Sequence, residues 1–198
     1  MKAMYTYRHN EAVETIHSHV RKGDKGSFYL KCDANKQTPT PHARPTIPQQ
    51  LVNTQQLTPQ ERDEIRKVPD ITLIENVTHP KQIRQHGKYP IHLFDVGYCE
   101  SNNVESTSER KRTYYRPLTN ILTRNGHDAK FTPIILSTLI PLKDDDLGYI
   151  CASIGITTTG CDKLHDALLT QSITYLHKIS TIYKKKEAIA LTYAQHPP

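Results

Sequence analysis

Residues 131–139 constrain the fold of this chain more than any other stretch. They form a largely apolar run with Ile134, Ile135 and Leu136 at its centre and turn-forming residues at its ends. Such a run reads as a β-strand buried on both faces, which needs cover above and below it. The flanking segments offer that cover. Residues 106–124 place Tyr114, Leu118, Ile121 and Leu122 at helical spacing and stop at Asn125-Gly126, with Pro117 expected to bend the helix. After an acidic turn at Asp144-Asp145-Asp146, residues 162–193 carry Leu164, Leu168, Leu176, Ile179 and Ile182, as one long helix or a helical hairpin.

The N-terminal half adds a second helix and a hairpin. Residues 10–20 set Ala12, Val13, Ile16 and Val20 on one face of a helix that ends near Gly23. Phe28-Tyr29-Leu30 reads as a short strand, and the four prolines between Thr38 and Pro48 mark an exposed irregular linker. Thr58-Pro59-Gln60-Glu61 combines an N-cap threonine, a proline at the first helical position and a glutamate three residues on, which starts a short helix to about Lys67. Residues 71–74 and 91–97 read as two strands of a long hairpin. The order of elements predicts an α/β fold of three layers around a mixed sheet. One domain is expected, with a core over 1–142 that includes a Pro-rich loop at 37–50, and a C-terminal helical extension of the same domain over 143–198.

Charge narrows the function. Lys and Arg outnumber Asp and Glu by 26 to 20, for a formal net charge of +6. That balance favours a polyanionic partner such as nucleic acid, and a merely solvated basic surface is the plain alternative. Eleven histidines add to the charge only as pH falls toward about 6.5. No run of about eighteen apolar residues occurs, so no membrane partner is expected. The four cysteines form no C-x-x-C pair, which points to a reducing, intracellular setting and to Cys99, Cys151 and Cys161 as small buried hydrophobes rather than metal ligands. The opening residues Met1-Lys2-Ala3-Met4 suggest a piece of a longer polyprotein.

Chemistry concentrates around two aspartates. Asp70 opens the first hairpin strand after Pro69 and Asp95 closes the second, so the hairpin is expected to bring both carboxylates to one sheet edge. Hard divalent cations need carboxylate oxygens on such a frame, although strand-end aspartates more often cap turns. Lys111 and Tyr115 stand one helical turn apart on the following helix. A lysine there orients or deprotonates an attacking water; read without partners, the pair is a solvated basic face and a core aromatic.

Taken in order, three segments resemble the restriction-like endonuclease domain of the site-specific branch of non-LTR (LINE-type) retrotransposons. They are Arg8-His9-Asn10 opening the first helix, Pro69-Asp70, and Asp95-Val96 followed by Lys111 through Leu118, with Asn125-Gly126-His127 leading into the next strand. The likeness covers residues 7–140. It implies a restriction-endonuclease-like core that nicks target DNA so that the new 3′ end primes reverse transcription. It implies Asp70 and Asp95 as ligands of Mg2+ or Mn2+, Lys111 as the group assisting the water, and His9 and Tyr115 as further catalytic residues. Glu14, or Glu11, is expected to add a carboxylate to the metal from the first helix, though acids there also suit the helix dipole. Arg8, Arg84, Lys88, Arg110 and Arg112 are expected to contact DNA, with Lys81 and His86 beside them on the hairpin loop. The implied setting is the nucleus, with retroelement RNA as a partner through the parent polyprotein and a homodimer as an open option.

Two departures from that family stand out. The interval from Asp70 to Asp95 is longer than usual, and Gly97 stands where a lysine often follows the second acid on its strand. The family also places that lysine on the helix, where Lys111 lies, but its second helical lysine is Tyr114 here. Other functions therefore stay in play: a catalytically silent DNA-binding module, a helical interaction module dominated by the C-terminal forty or so residues, and, within the same fold class, a resolvase of branched DNA.

Overall fold

The structure is a computed structural model that describes residues 2–20, 28–32, 47–85, 87–137 and 144–195. Helix α1 (Lys2–Val20) begins eight residues before the apolar periodicity does. Its first two turns are anchored by a polar contact and a buried cation, Tyr7 bonding Glu11 and Arg8 packing inward, and neither leaves an apolar signature. Strands β1 (Phe28–Cys32), β2 (Ile71–Glu75), β3 (Pro90–Cys99) and β4 (Asp128–Ser137) form one sheet in the order β1-β2-β3-β4. The first three are antiparallel neighbours, and β3 and β4 run parallel because α3 (Val104–Arg124) crosses between them.

Alternation along the strands divides the core into two layers. Ile71, Leu73, Phe94, Val96, Tyr98, Ile134 and Leu136 face one way and pack with Ala12, Val13, Ile16 and Val20 of α1. That layer is completed by Leu147 and Ile150 of α4 (Asp144–Ile154) and by Leu164 and Leu168 of α5 (Thr158–Gln195). On the opposite face, Ile74, Ile91 and Leu93 meet Tyr115, Leu118, Ile121 and Leu122 of α3, closed over by Ile47, Leu51, Val52 and Leu57. The expected mixed α/β sheet between helical layers is present, and the C-terminal helices are part of its core.

Several expectations change. The acidic triplet at 144–146 opens α4 instead of forming a turn, and the C-terminal region is a single long helix behind α4. The capping box of α2 (Pro59–Glu64) forms as expected, with the Thr58 side chain accepting from the Glu61 amide at 3.2 Å. Helix α3 runs through Pro117 and is closed by Gly126 at φ 92°, a left-handed conformation that suits glycine. Gly23, His86 and residues 33–46, most of the Pro-rich segment, lie outside the described residues. Where that segment re-enters it is not exposed, since Ile47 is 3% accessible. The buried His127 holds it there: a ring nitrogen lies 2.7 Å from the Leu51 carbonyl, and the ring stacks on Tyr89. Among the described residues no helix is long and apolar enough to cross a membrane.

Candidate active site at the β2–β3 edge

Pairing of β2 with β3 ends at Ile71 opposite Phe94, so Asp70 stands just outside the ladder, beside Asp95 and Val96. The free Val96 N–H donates to Asp70 Oδ2 at 2.7 Å. The same oxygen lies 3.0 Å from His9 Nε2, delivered by α1 from the other side of the sheet. Asp95 alternates with Phe94 and Val96 and so points toward α3, where two residues one turn apart receive it. The Tyr115 hydroxyl reaches Asp95 Oδ1 at 3.0 Å and lies 3.2 Å from the Val68 carbonyl. The Lys111 ammonium ion-pairs with Asp95 Oδ2 and donates to the Val96 carbonyl at 3.1 Å. All five residues expected to be catalytic, His9, Asp70, Asp95, Lys111 and Tyr115, thus meet at one sheet edge.

Gly97 makes the helical lysine's reach feasible. A Cβ built there would come within 2.6 Å of Lys111 Cε. The missing strand lysine is therefore linked physically to the lysine on α3, because the glycine leaves the channel through which Lys111 reaches the strand.

The electrostatics are those of a crowded acidic site. Burial pushes the Asp95 carboxyl above its ordinary range and the charge of Asp70 adds to the rise, against the opposing pull of Lys111 and Tyr115. Burial and the Asp95 charge likewise hold the Tyr115 hydroxyl well above its usual range, so it remains a protonated donor. For His9, burial disfavours the cation, but the hydrogen bond and charge of Asp70 outweigh it and the net direction is upward from 6.5. A raised histidine pKa stabilises the fold fully below about pH 6.5, and that stability is lost as pH climbs through the folded value. In metal-free protein the pair is expected to contribute about 1–2 kcal/mol of charge-assisted hydrogen bonding. Its loss lowers Tm by roughly 2–8 °C toward alkaline pH. Thermal denaturation from pH 6 to 9 checks this, since His9→Gln is expected to flatten that slope; an identical profile in the variant would refute the assignment.

The other site candidates are placed differently. Glu14 is half-exposed beside His17 at 3.9 Å, and Glu11 bonds Tyr7, so α1 brings His9 and not a third carboxylate to the aspartates. Among the described residues no group of three or more His, Cys, Asp or Glu side chains is arranged to hold a metal ion. Arg8 does not face DNA, being 4% exposed, with its guanidinium over the rings of Tyr98 (3.8 Å) and Tyr175 (4.6 Å). Lys81, Arg84 and Lys88 are exposed on the β2–β3 loop, at the end of the hairpin opposite Asp70 and roughly 15 Å away at the rise of an extended strand. Lys88 passes by Gly126 at the C-terminal end of α3, where a cation suits the helix dipole. Arg110 and Arg112 flank Lys111 on the exposed side of α3. Cys151 is buried between α4 and α5, with Cys161 packed against the same cluster.

Two participants escaped the sequence. Val96 contributes only its backbone, donating to Asp70 and accepting from Lys111, and a backbone role has no residue signature. The second is a groove lined by Arg112, Arg116 and Lys130, of which the sequence singled out Arg112 alone, because its members come from separate elements. No family model, curated protein or solved structure matches this chain.

Proposed function

We propose that this chain is a metal-dependent endodeoxyribonuclease with a restriction-endonuclease-like core, which nicks target DNA to prime reverse transcription in a retroelement. The observation that carries this reading is the meeting of Asp70 and Asp95 at one sheet edge with Lys111 between Asp95 and the Val96 carbonyl. Adjacent carboxylates, with Asp95 pushed up in part by the charge of Asp70, form an oxygen-only set that fits a hard divalent cation. Asp70, Asp95 and the Val96 carbonyl would hold it. Two acids are enough for Mg2+, which usually keeps several of its waters. When bound, Mg2+ or Mn2+ supplies charge neutralisation at the phosphate and a more acidic water. The chain does the positioning. The Val96 amide and His9 orient Asp70, Tyr115 fixes Asp95, and Lys111 holds the water and takes or returns its proton.

Supercoiled plasmid incubated with the protein and Mg2+ is expected to convert to nicked circle, and chelator to stop it. A second reading, a silent DNA-binding module, is favoured by the absence of a third acidic ligand among the described residues. It predicts plasmid binding with no nicking under any divalent cation. Gly97→Ala distinguishes the two further. The added methyl swings the flexible Lys111 off Asp95, and nicking is expected to fall about tenfold or more, within the contribution of a positioned acid–base group. The fold should be retained with at most a modest drop in Tm, because the atom chiefly displaced is the far end of a lysine and Ile135 Cδ1 at 3.2 Å has to give only slightly. The cost left is the loss of the Lys111 charge beside Asp95. Unchanged nicking in Gly97→Ala would contradict the role given to Lys111.

A further inference from the structure

Beside the aspartate site, the outer face of α3, the β4 edge and α4 enclose an open groove of about 550 Å³. Arg112 and Arg116 stand one turn apart on α3, and Lys130 of the edge strand β4 also lines the groove. Tyr149 of α4 closes one side and is 49% exposed, the ring face of a large side chain not spent on the core. Among the described residues no carboxylate lines the groove. Glu109 touches Arg116 at 3.3 Å and Asp128 touches Lys130 at 3.4 Å, but both pairs are solvent-exposed and therefore weak enough to yield to a phosphate. Arg112 has no acidic partner among the described residues.

The groove adjoins the aspartate site across a single layer of packed side chains. Phe131, one of its lining residues, stacks on Tyr115 with ring centroids 4.6 Å apart, and Tyr115 holds Asp95. In the β3–β4 register, Thr132 of the groove lies opposite Phe94 and Pro133 lies opposite Asp95, one strand spacing of about 5 Å away.

We infer that this groove seats a single DNA strand running beside the scissile duplex. Cations that track a backbone together with an exposed aromatic ring are the two elements by which single strands are held without sequence readout. The volume is that of a small-ligand cleft, which admits a few nucleotides of one strand and not a duplex. The choice of DNA rests on the nuclease reading, and it identifies the substrate as duplex with an adjoining unpaired strand.

Binding of fluorescein-labelled (dT)15 to the full chain is measured in chelator, so that failure of metal-dependent cleavage does not enter. Duplex of the same length and (U)15 serve as parallel arms. Tyr149→Ala is expected to weaken (dT)15 about tenfold, in the range of one lost base stack, while Tyr149→Phe retains binding. Arg112→Ala with Arg116→Ala is expected to reduce the slope of log affinity against log salt by about 1.4, two single-strand phosphate contacts. Duplex binding should be little changed by Tyr149→Ala. Unaltered (dT)15 affinity and slope in these variants would overturn the inference. Equal losses on duplex, or tighter and more sensitive binding of (U)15, would overturn it as well, by making the occupant a duplex or an RNA. All three residues are exposed, so matching thermal melts show that the fold is retained.

Discussion

Asp95→Asn is expected to lower plasmid nicking by a factor of about 10³ or more while leaving the Tm of metal-free protein unchanged or slightly raised. The loss follows from removing one of the two acidic ligands proposed for the metal, and a factor of 10³ corresponds to about 4 kcal/mol of transition-state stabilisation. The retained stability follows from the direction of the pKa. Burial and Asp70 raise the folded carboxyl above its unfolded value, so the fold binds that proton more tightly than the open chain does. Stability from this group is then greatest at acid pH and is lost as pH rises through the folded value, and at neutral pH the ionised form is a net cost. An uncharged amide of the same shape removes the cost, keeps its one oxygen for Lys111 while the Tyr115 hydroxyl turns to the Val68 carbonyl, and ends the proposed metal chemistry. Parallel nicking assays and thermal melts decide the matter. A fall in Tm comparable to that of a core truncation would show that Asp95 is held for structure, not for reaction.

Arg8→Ala is expected to cost about 3 kcal/mol of stability, and Arg8→Lys to recover little of it. The guanidinium is sandwiched between Tyr98 of β3 and Tyr175 of α5, with longer contacts of 3.4 Å to the Ser137 carbonyl and the Ser172 hydroxyl. A desolvated cation–π contact contributes about 2 kcal/mol, and alanine leaves a void between three elements. For a domain of this size the expected drop in Tm is roughly 6–12 °C. Lysine offers a compact ammonium where a flat group stacks on two rings, which is why it does not substitute. Because His9 follows Arg8 directly, the same variant is expected to loosen the His9–Asp70 contact. Equal melting of Arg8→Ala and wild type would return Arg8 to the surface role that its charge first suggests.

What the sequence made legible follows from the range over which each signal acts. Strand alternation in Ile91–Gly97 and helical spacing in α3 are local, and they were enough to bring Asp70, Asp95, Lys111 and Tyr115 to one place. The capping box at Thr58 is equally local and formed as read. The pairing of β1 with β2 depends on chain ends separated by the Pro-rich segment, and nothing in Phe28–Cys32 specifies its partner. Burial of Arg8 depends on two tyrosines, Tyr98 and Tyr175, far off in sequence, and a cation carries no mark of an aromatic sandwich. Glu14 was a readable error: five residues after His9 it lies about 140° around the helix, so α1 cannot offer both to Asp70. The position of the Lys81–Lys88 loop was readable too, since an antiparallel hairpin carries its turn at the end away from the residue that opens its first strand.

The measurement closest to the proposed chemistry is calorimetric titration of the purified chain with Mn2+ in the absence of DNA, alongside Asp70→Ala and Asp95→Asn. One binding event per wild-type chain that disappears in both variants is the expected result, and it would establish the paired aspartates as a divalent-cation site independently of any substrate. Equal heats in all three proteins, or no binding by wild type while Asp70→Ala and Asp95→Asn still bind DNA normally, would contradict a metal-dependent nuclease and leave the silent DNA-binding module in its place.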